Sequence, residues 1–470
     1  MKTTKGAHTQ STLDLKELIH ELDKLTLQIV KEKSQQARTE LALMAQRKID
    51  NFLDANSVPE STEKELKEIH KRLNPFVIGV SSTSNHQKEL AKTNRRTSTK
   101  DKRGWKTEDC EIQLDPEKFK GKASEYPVAA QKLLDFILTK FFTLKGKLPK
   151  DPKVSDLTIE VSIGEYWRLL DLEVFELSDR PMSEEERKQI KANRKQALKD
   201  LRAAADILTS LSVRAKEHRA CYGKTLVNFF QQIDVSRKGE TPDSWKIKAL
   251  FGVTGAKMLA DMPKTTTHTE GFRLKNSERV EWAIFKKMGE HWYNFENWPD
   301  PDPKRNARRS SSKQSDTHNK IQLKNLAAAT PLPKDGECSW KENEKIRDRL
   351  AKALYRMLPE NDPVESITDE GGIGFLSWFK IVKKNPDGSE TEIDPADAFG
   401  CTDEFDQSRS LTGMNWTELK DCYLIFGLAH PEDKTQEIKN YYEMKAYHQA
   451  NKKRSQTMKR KKKEDKKDGE

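Results

Sequence analysis

Two stretches of the chain repeat lysine and arginine at helical spacing. Between Ser183 and Ser210, a run without Pro or Gly, Lys188, Lys191, Lys195, Lys199 and Arg202 recur at intervals of 3, 4, 4 and 3. That interval places them on one face of a helix. Ile190, Ala197, Leu201, Ala205 and Leu208 fall on another face, expected to pack inward. Between Trp340 and Leu358, Lys341, Lys345, Arg349, Lys352 and Arg356 recur at intervals of 4, 4, 3 and 4, with Ile346, Leu350, Leu354 and Met357 opposing them. Such cations can neutralise phosphates, and a few can donate to guanine O6 and N7. A helix with one buried and one basic face suits a major groove about 12 Å wide. A solvated face that keeps lysines for solubility has the same spacing. The acids Glu184–Glu186, Glu342, Glu344 and Asp348 dilute the charge of both helices.

A second basic group, Arg214, Lys216, Arg219 and Lys224, surrounds the turn expected at His218–Gly223. It reads either as a basic hairpin against a nucleic-acid backbone or as a plain exposed hairpin. Signatures of catalysis are incomplete. Tyr222-Gly-Lys-Thr225 resembles the end of a phosphate-binding loop, but position 218, which must be glycine, is His. Gly252-Val-Thr-Gly-Ala-Lys257 lacks the hydroxyl residue after its lysine. There is no H-x-H pair and no H-E-x-x-H, and the tyrosines Tyr441 and Tyr442 have no histidine cluster to make them nucleophiles. Cys110, Cys221, Cys338, Cys401 and Cys422 form no C-x-x-C pair, so reduced thiols in a cytoplasmic protein are expected, with neither zinc nor disulfides. The sequence therefore predicts no enzyme activity, no cofactor and no metal.

The elements that would position these residues follow one order twice. A helix striped by Ala130, Leu133, Leu134, Ile137 and Phe141 is followed by a strand at Leu157–Val161. Ser162, with Glu165 three residues on, caps a short helix to about Leu170, and Ser183 caps the long basic helix. Two strands, Leu211–Glu217 and Lys224–Gln231, are expected around the turn between them. Helix, strand, short helix, long helix and hairpin make a winged helix-turn-helix. The second copy is expected as a helix striped by Val280, Ile284, Met288 and Trp292, a Pro- and Ser-rich loop from Pro299 to Asn319, a short helix over Lys320–Ala329, the second basic helix, a strand over Gly374–Val382, a turn at Asn385–Gly388 and a final strand at Cys422–Gly427. A long insertion, 389–420, interrupts its hairpin.

Upstream, Leu15, Leu18, Leu22, Leu25 and Ile29 recur at 3,4,3,4 spacing within one long helix expected over 12–54. That seam would close on its own chain or on a second copy. The predicted organisation is a helical region at 1–80, a polar basic linker at 81–125, the two units at 126–250 and 270–430, and a helical extension with a disordered basic tail at 431–470. The fold class is mainly α with small β-wings, α+β. With 86 Lys and Arg against 75 Asp and Glu, the 470-residue chain carries a net charge of +11, and only 34% of its residues are apolar. No run approaches the roughly 18–20 apolar residues of a membrane span, so no membrane partner is expected.

The run Ile159-Glu-Val-Ser-Ile-Gly-Glu-Tyr-Trp-Arg-Leu-Leu170, followed by Arg194–Arg202 and Ile207–Val213, resembles the first winged helix of plasmid and phage replication initiators of the tandem type. Val280–Met288 with Lys320–Leu326 is similar to the second unit of initiator-like proteins of bacterial mobile elements. The resemblance covers about 125–430. It implies binding to repeated origin sites in double-stranded DNA, opening of the adjacent duplex, recruitment of host replication proteins and no catalytic residues. Residues 1–105, the Pro299–Asn319 loop and the insertion have no counterpart. A winged-helix transcriptional regulator or partition protein fits the same basic helices. A helical scaffold whose basic tail binds RNA, membrane or an acidic partner is the reading of another class.

Overall fold

A computed structural model describes residues 15–28, 35–80, 104–114, 128–175, 182–215, 227–302, 317–359 and 371–467, with short gaps inside several of these spans. At the N-terminal side, helical residues 17–26 bury Leu18, Leu22 and Leu25 against Ala45, Ile49 and Phe52 of α1 (Gln35–Ala55) and Leu66 of α2 (Glu60–Arg72). Lys48 and Glu21 form an ion pair at 2.7 Å. In a continuous helix those residues would stand about 40 Å apart. The single helix expected over 12–54 is thus a reversal of the chain, and the leucine seam closes on α1. Strand β1 (Val77–Val80) follows. The expected linker at 81–125 contains two paired strands, β2 (Gly104–Lys106) and β3 (Cys110–Leu114). Its basic stretch at 81–103 lies outside the described residues.

The first unit runs α3 (Val128–Lys145), β4 (Thr158–Ser162), α4 (Ile163–Leu169), α5 (Glu184–Ser210), β5 (Leu211–Ala215), β6 (Val227–Asn228), β7 (Phe230–Ser236), β8 (Lys246–Phe251) and α6 (Val253–Asp261). Both expected caps form. The Ser162 hydroxyl accepts from the Glu165 N–H, and Ser183 and Glu186 bond each other's backbone reciprocally. The expected pairing of 211–217 with 224–231 forms, over a shorter length: Ser212 stands opposite Asn228 and Val213 opposite Val227. β5 pairs with β3 on one side and with β6 on the other. A further hairpin follows, β7–β8, and β8 also pairs with β4, giving the sheet order β4-β8-β7. Ile247, Ala249 and Phe251 are the buried alternates of β8.

On α5, Leu198, Leu201, Ala204, Ala205, Ile207 and Leu208 are buried, whereas the residues of the half before Leu198 are exposed or half-buried. Leu201 is 3% exposed. Leu201→Ala is expected to cost about 2–5 kcal/mol. A melting temperature within about a degree of wild type would mean that this face is not the packed one.

The second unit follows β9 (Lys264–Thr267), which pairs antiparallel with β1. It runs α7 (Arg279–Tyr293), β10 (Lys320–Gln322), α8 (Leu323–Ala328), α9 (Trp340–Arg356), β11 (Leu376–Lys384), β12 (Glu390–Ile393), α10 (Pro395–Phe399), the small pair β13 (Cys401–Thr402) and β14 (Ser410–Leu411), α11 (Trp416–Leu419) and β15 (Tyr423–Leu428). Its sheet order is β10-β15-β11-β12. In both units the first strand lies beside the last; in the second unit the last also lies beside β11, the strand after the long helix, whereas in the first unit the strand after the long helix, β5, joins the separate sheet β2-β3-β5-β6. The expected helix at 320–329 opens instead as strand β10, because β15 supplies its backbone partners. The insertion contributes an edge strand and two short helices. Beyond it, α12 (Thr435–Lys467) continues as helix through the basic tail, where disorder is expected from the sequence.

The two units meet along their first helices. Trp282 Nε1 donates to Gln131 Oε1 at 2.8 Å, and Lys286 Nζ donates to Asp135 Oδ2 at 2.7 Å; both pairs are separated by 151 residues. A constant separation means that α3 and α7 run in the same direction and in step. The buried residues Leu133, Leu134 and Ile137 correspond at that offset to the buried Ile284, Phe285 and Met288. From Lys132 to Leu138 every residue of α3 is buried, as expected for a helix with a core on each side. Among the described residues no helix is long and apolar enough to cross a membrane.

Candidate nucleic-acid interface

On α5 the structure exposes all five expected cations, Lys188, Lys191, Lys195, Lys199 and Arg202. Lys188 pairs with Glu184 at 3.2 Å, with both side chains more than 70% exposed. A pair so solvated contributes little. The opposite face, Asn193, Ala197, Leu201 and Ala204, turns toward the second unit.

On α9 the expected face divides. Lys345, Arg349 and Lys352 are exposed, and the side chain of Lys341 lies outside the described residues. Arg356 is 6% exposed. Its Nε donates to Glu278 Oε1 at 2.8 Å, and a terminal nitrogen reaches the Gly371 carbonyl. Arg356 is therefore an internal tie, contrary to expectation. The chain at 371–374 folds back over the end of α9, where the Ile373 N–H bonds the Arg356 carbonyl at 3.0 Å. A Cβ at Gly372 would sit 2.0 Å from the Leu358 carbonyl oxygen, so only glycine permits that crossing.

Arg214 lies on β5 opposite Glu111 of β3. Lys216, Arg219 and Lys224 lie outside the described residues, as does the Tyr222–Thr225 motif. The cations displayed on a hairpin are others. Arg237 and Lys238 are exposed at the tip of β7–β8, and Lys248 is exposed along β8. The Arg237 guanidinium sits 4.7 Å from the Trp245 ring centroid, and Trp245 Nε1 donates to the Gly239 carbonyl at 2.9 Å. Gly239 has φ +91°, a left-handed turn position that suits glycine. In the second unit Lys383 and Lys384 are exposed beside the Asn385–Gly388 turn, whereas Lys380 pairs with Glu392 at 2.8 Å.

The tyrosine pair on α12 is structural. The Tyr442 hydroxyl lies 3.0 Å from the Phe295 carbonyl and 2.7 Å from that of Trp298, and the Tyr441 hydroxyl lies 3.0 Å from Glu296. These contacts fasten α12 to the second unit. Among the described residues no group of three His, Cys, Asp or Glu side chains could hold a metal ion.

One buried acid stands at the junction. Glu270 is 2% exposed, and neither carboxylate oxygen accepts a hydrogen bond from another described residue. His268 Nδ1 is 3.7 Å away. Burial pushes Glu270 up to about 7 and His268 down to about 3, so the imidazole brings no positive charge to the pair. A carboxyl raised above its ordinary value of 4.5 stabilises the fold fully below that value and loses the contribution as pH rises through 7. Glu270→Gln is expected to leave stability unchanged near pH 4 and to raise it by on the order of 3 kcal/mol at pH 8. Urea denaturation at the two pH values measures this; a gain equal at both would mean that ionisation is not the cause.

No protein-family model, curated protein or solved structure matches the chain.

Proposed function

We propose that the chain binds double-stranded DNA sequence-specifically through two tandem winged helix-turn-helix units, with α5 and α9 entering successive major grooves, and that it initiates replication of a plasmid, phage or related element. The observation that carries the reading is the repeat. The same helix, strand, short helix and long helix order occurs twice, a strand follows each long helix, the first strand of each unit pairs with its last, and each long helix turns lysine and arginine to solvent. The exposed Arg237 and Lys238 put a basic hairpin tip in the same unit as the first of these helices. The initiator role rests on the resemblance of Ile159–Leu170 and its following segments. Its partners would be repeated origin sites and host replication proteins.

Because α3 and α7 are locked in step, the two units should read two half-sites at one fixed spacing. Duplexes selected from a random pool should contain both halves. Inserting about 5 bp, half a helical turn, between them should cost at least about tenfold in affinity. Lys345→Ala, Arg349→Ala and Lys352→Ala together should erase selectivity in one half only. Binding indifferent to the insertion would overturn the tandem reading. Permanganate-reactive thymines beside a repeat array, appearing only with the protein, would distinguish an initiator from a regulator.

A further inference from the structure

Between the first unit and the segment that enters the second lies a cleft of about 550 Å³. Its floor is apolar and aromatic, with Tyr166, Trp167, Leu170 and Phe272. Its two walls carry opposite charge. The connector wall holds Arg273 and Lys275, while the wall formed by the end of α4 and by α5 holds Asp171, Glu173 and Asp200; Lys132 of α3 is buried beneath, its amine donating to the Phe272 and Leu274 carbonyls. Arg273 and Asp171 face each other across the cleft at 3.5 Å. Asp171 has φ +54°, a conformation that L residues seldom adopt. The α5 residues that line it, Asn193, Ala197 and Ala204 among them, lie directly behind the exposed lysine face.

A cavity in the range of about 300–1,000 Å³, apolar with a few convergent polar groups and placed at a domain junction, has the character of a small-molecule site. An apolar floor between a cationic and an anionic wall complements a ligand with a hydrophobic body and both charges. We propose that the cleft binds a small zwitterion with an aromatic or aliphatic body, of amino-acid to dipeptide size, and that its occupancy sets the position of α5 against the connector. A ligand that touches both the back of α5 and the connector favours one placement of α5 over others while the α3–α7 seam stays in register, and so shifts affinity for DNA. The regulatory half of this inference rests on the DNA-binding reading; the binding half does not.

The test is calorimetric titration of the full chain with L-tryptophan and with its uncharged analogue N-acetyl-L-tryptophanamide, in the absence of DNA. Tryptophan is expected to bind with Kd below about 1 mM, and the analogue at least about tenfold more weakly. Ala197→Trp, which fills the cleft from α5, should abolish binding. The Glu173→Gln, Asp200→Asn double variant, which changes charge without bulk, should weaken it at least about fivefold. No heat at about 10 mM tryptophan, equal affinity for the two compounds, or wild-type affinity in both variants would overturn the site. In a second arm, saturating tryptophan should change affinity for the selected duplex severalfold. An unchanged DNA affinity with ligand bound overturns the regulatory role, whereas an absence of DNA binding with the ligand site intact overturns the proposed function instead.

Discussion

Replacing Lys195, Lys199 and Arg202 together with Ala is expected to weaken DNA binding while leaving the fold intact. All three are exposed on α5, on the side away from Ala197 and the buried Leu201 and Ala204. Alanine is the stronger helix former, so helix content should hold. Each phosphate left without its cation should shallow the dependence of log affinity on log salt by about 0.9, or about 2.7 for three. Over a fourfold change in salt that difference amounts to about 40-fold in affinity, so the defect is largest in dilute salt. Fluorescence anisotropy across a salt series, with a thermal melt of each variant, measures both quantities. An unchanged slope would remove α5 from the interface, and the exposed hairpin cations Arg237, Lys238 and Lys248 would be the next to test.

Local signals carried much of this architecture, and contacts distant in sequence accounted for what they missed. Ser162 with Glu165 and Ser183 with Glu186 fix two helix starts within four residues of chain, so both were legible. The alternation of Ile247, Ala249 and Phe251 against Lys246, Lys248 and Leu250 was equally local, and with Gly239 and Pro242 it marks the further hairpin β7–β8. By contrast, Lys320–Gln322 form a strand only because Tyr423–Ile425 pair with them, and nothing in the three residues themselves says so. Likewise Leu211–Ala215 finds its partner in Cys110–Leu114, inside a stretch too polar to suggest a sheet. Arg356 shows the limit for the candidate site. Its spacing continues the basic face of α9, yet the chain at 371–374 covers the end of that helix, and Glu278 from the start of α7 meets the guanidinium. Periodicity assigns a residue to a helix face; whether the last turn of that face meets solvent depends on what folds over it.

The seam between the units holds the ion pair with the largest expected effect on stability. Lys286 and Asp135 are 8% and 2% exposed, and the Lys286 amine also donates to the Thr267 hydroxyl at 2.9 Å. Asp135 sits within the stretch of α3 that is buried from both sides. Lys286→Met keeps the stem that packs beside Trp282 but leaves a carboxylate in a dry seam without its cation. Removing one partner of a buried pair costs about 3–5 kcal/mol, because the remaining charge is left uncompensated. The double variant Asp135→Leu, Lys286→Met removes both charges and should recover most of the loss, since apolar replacement of a whole buried pair is often neutral or better. Denaturant unfolding of wild type, single and double variants forms the cycle. The single variant should also loosen the coupling of the units, so its binding should tolerate the half-turn insertion that wild type does not. A single variant as stable as wild type would place the pair in contact with water, and Leu133, Ile137, Ile284 and Met288 would then hold the seam by packing alone. A double variant no more stable than the single would instead show that the pair's worth lies in fixing the register of α3 against α7, with Trp282 and Gln131 unable to hold that register by themselves.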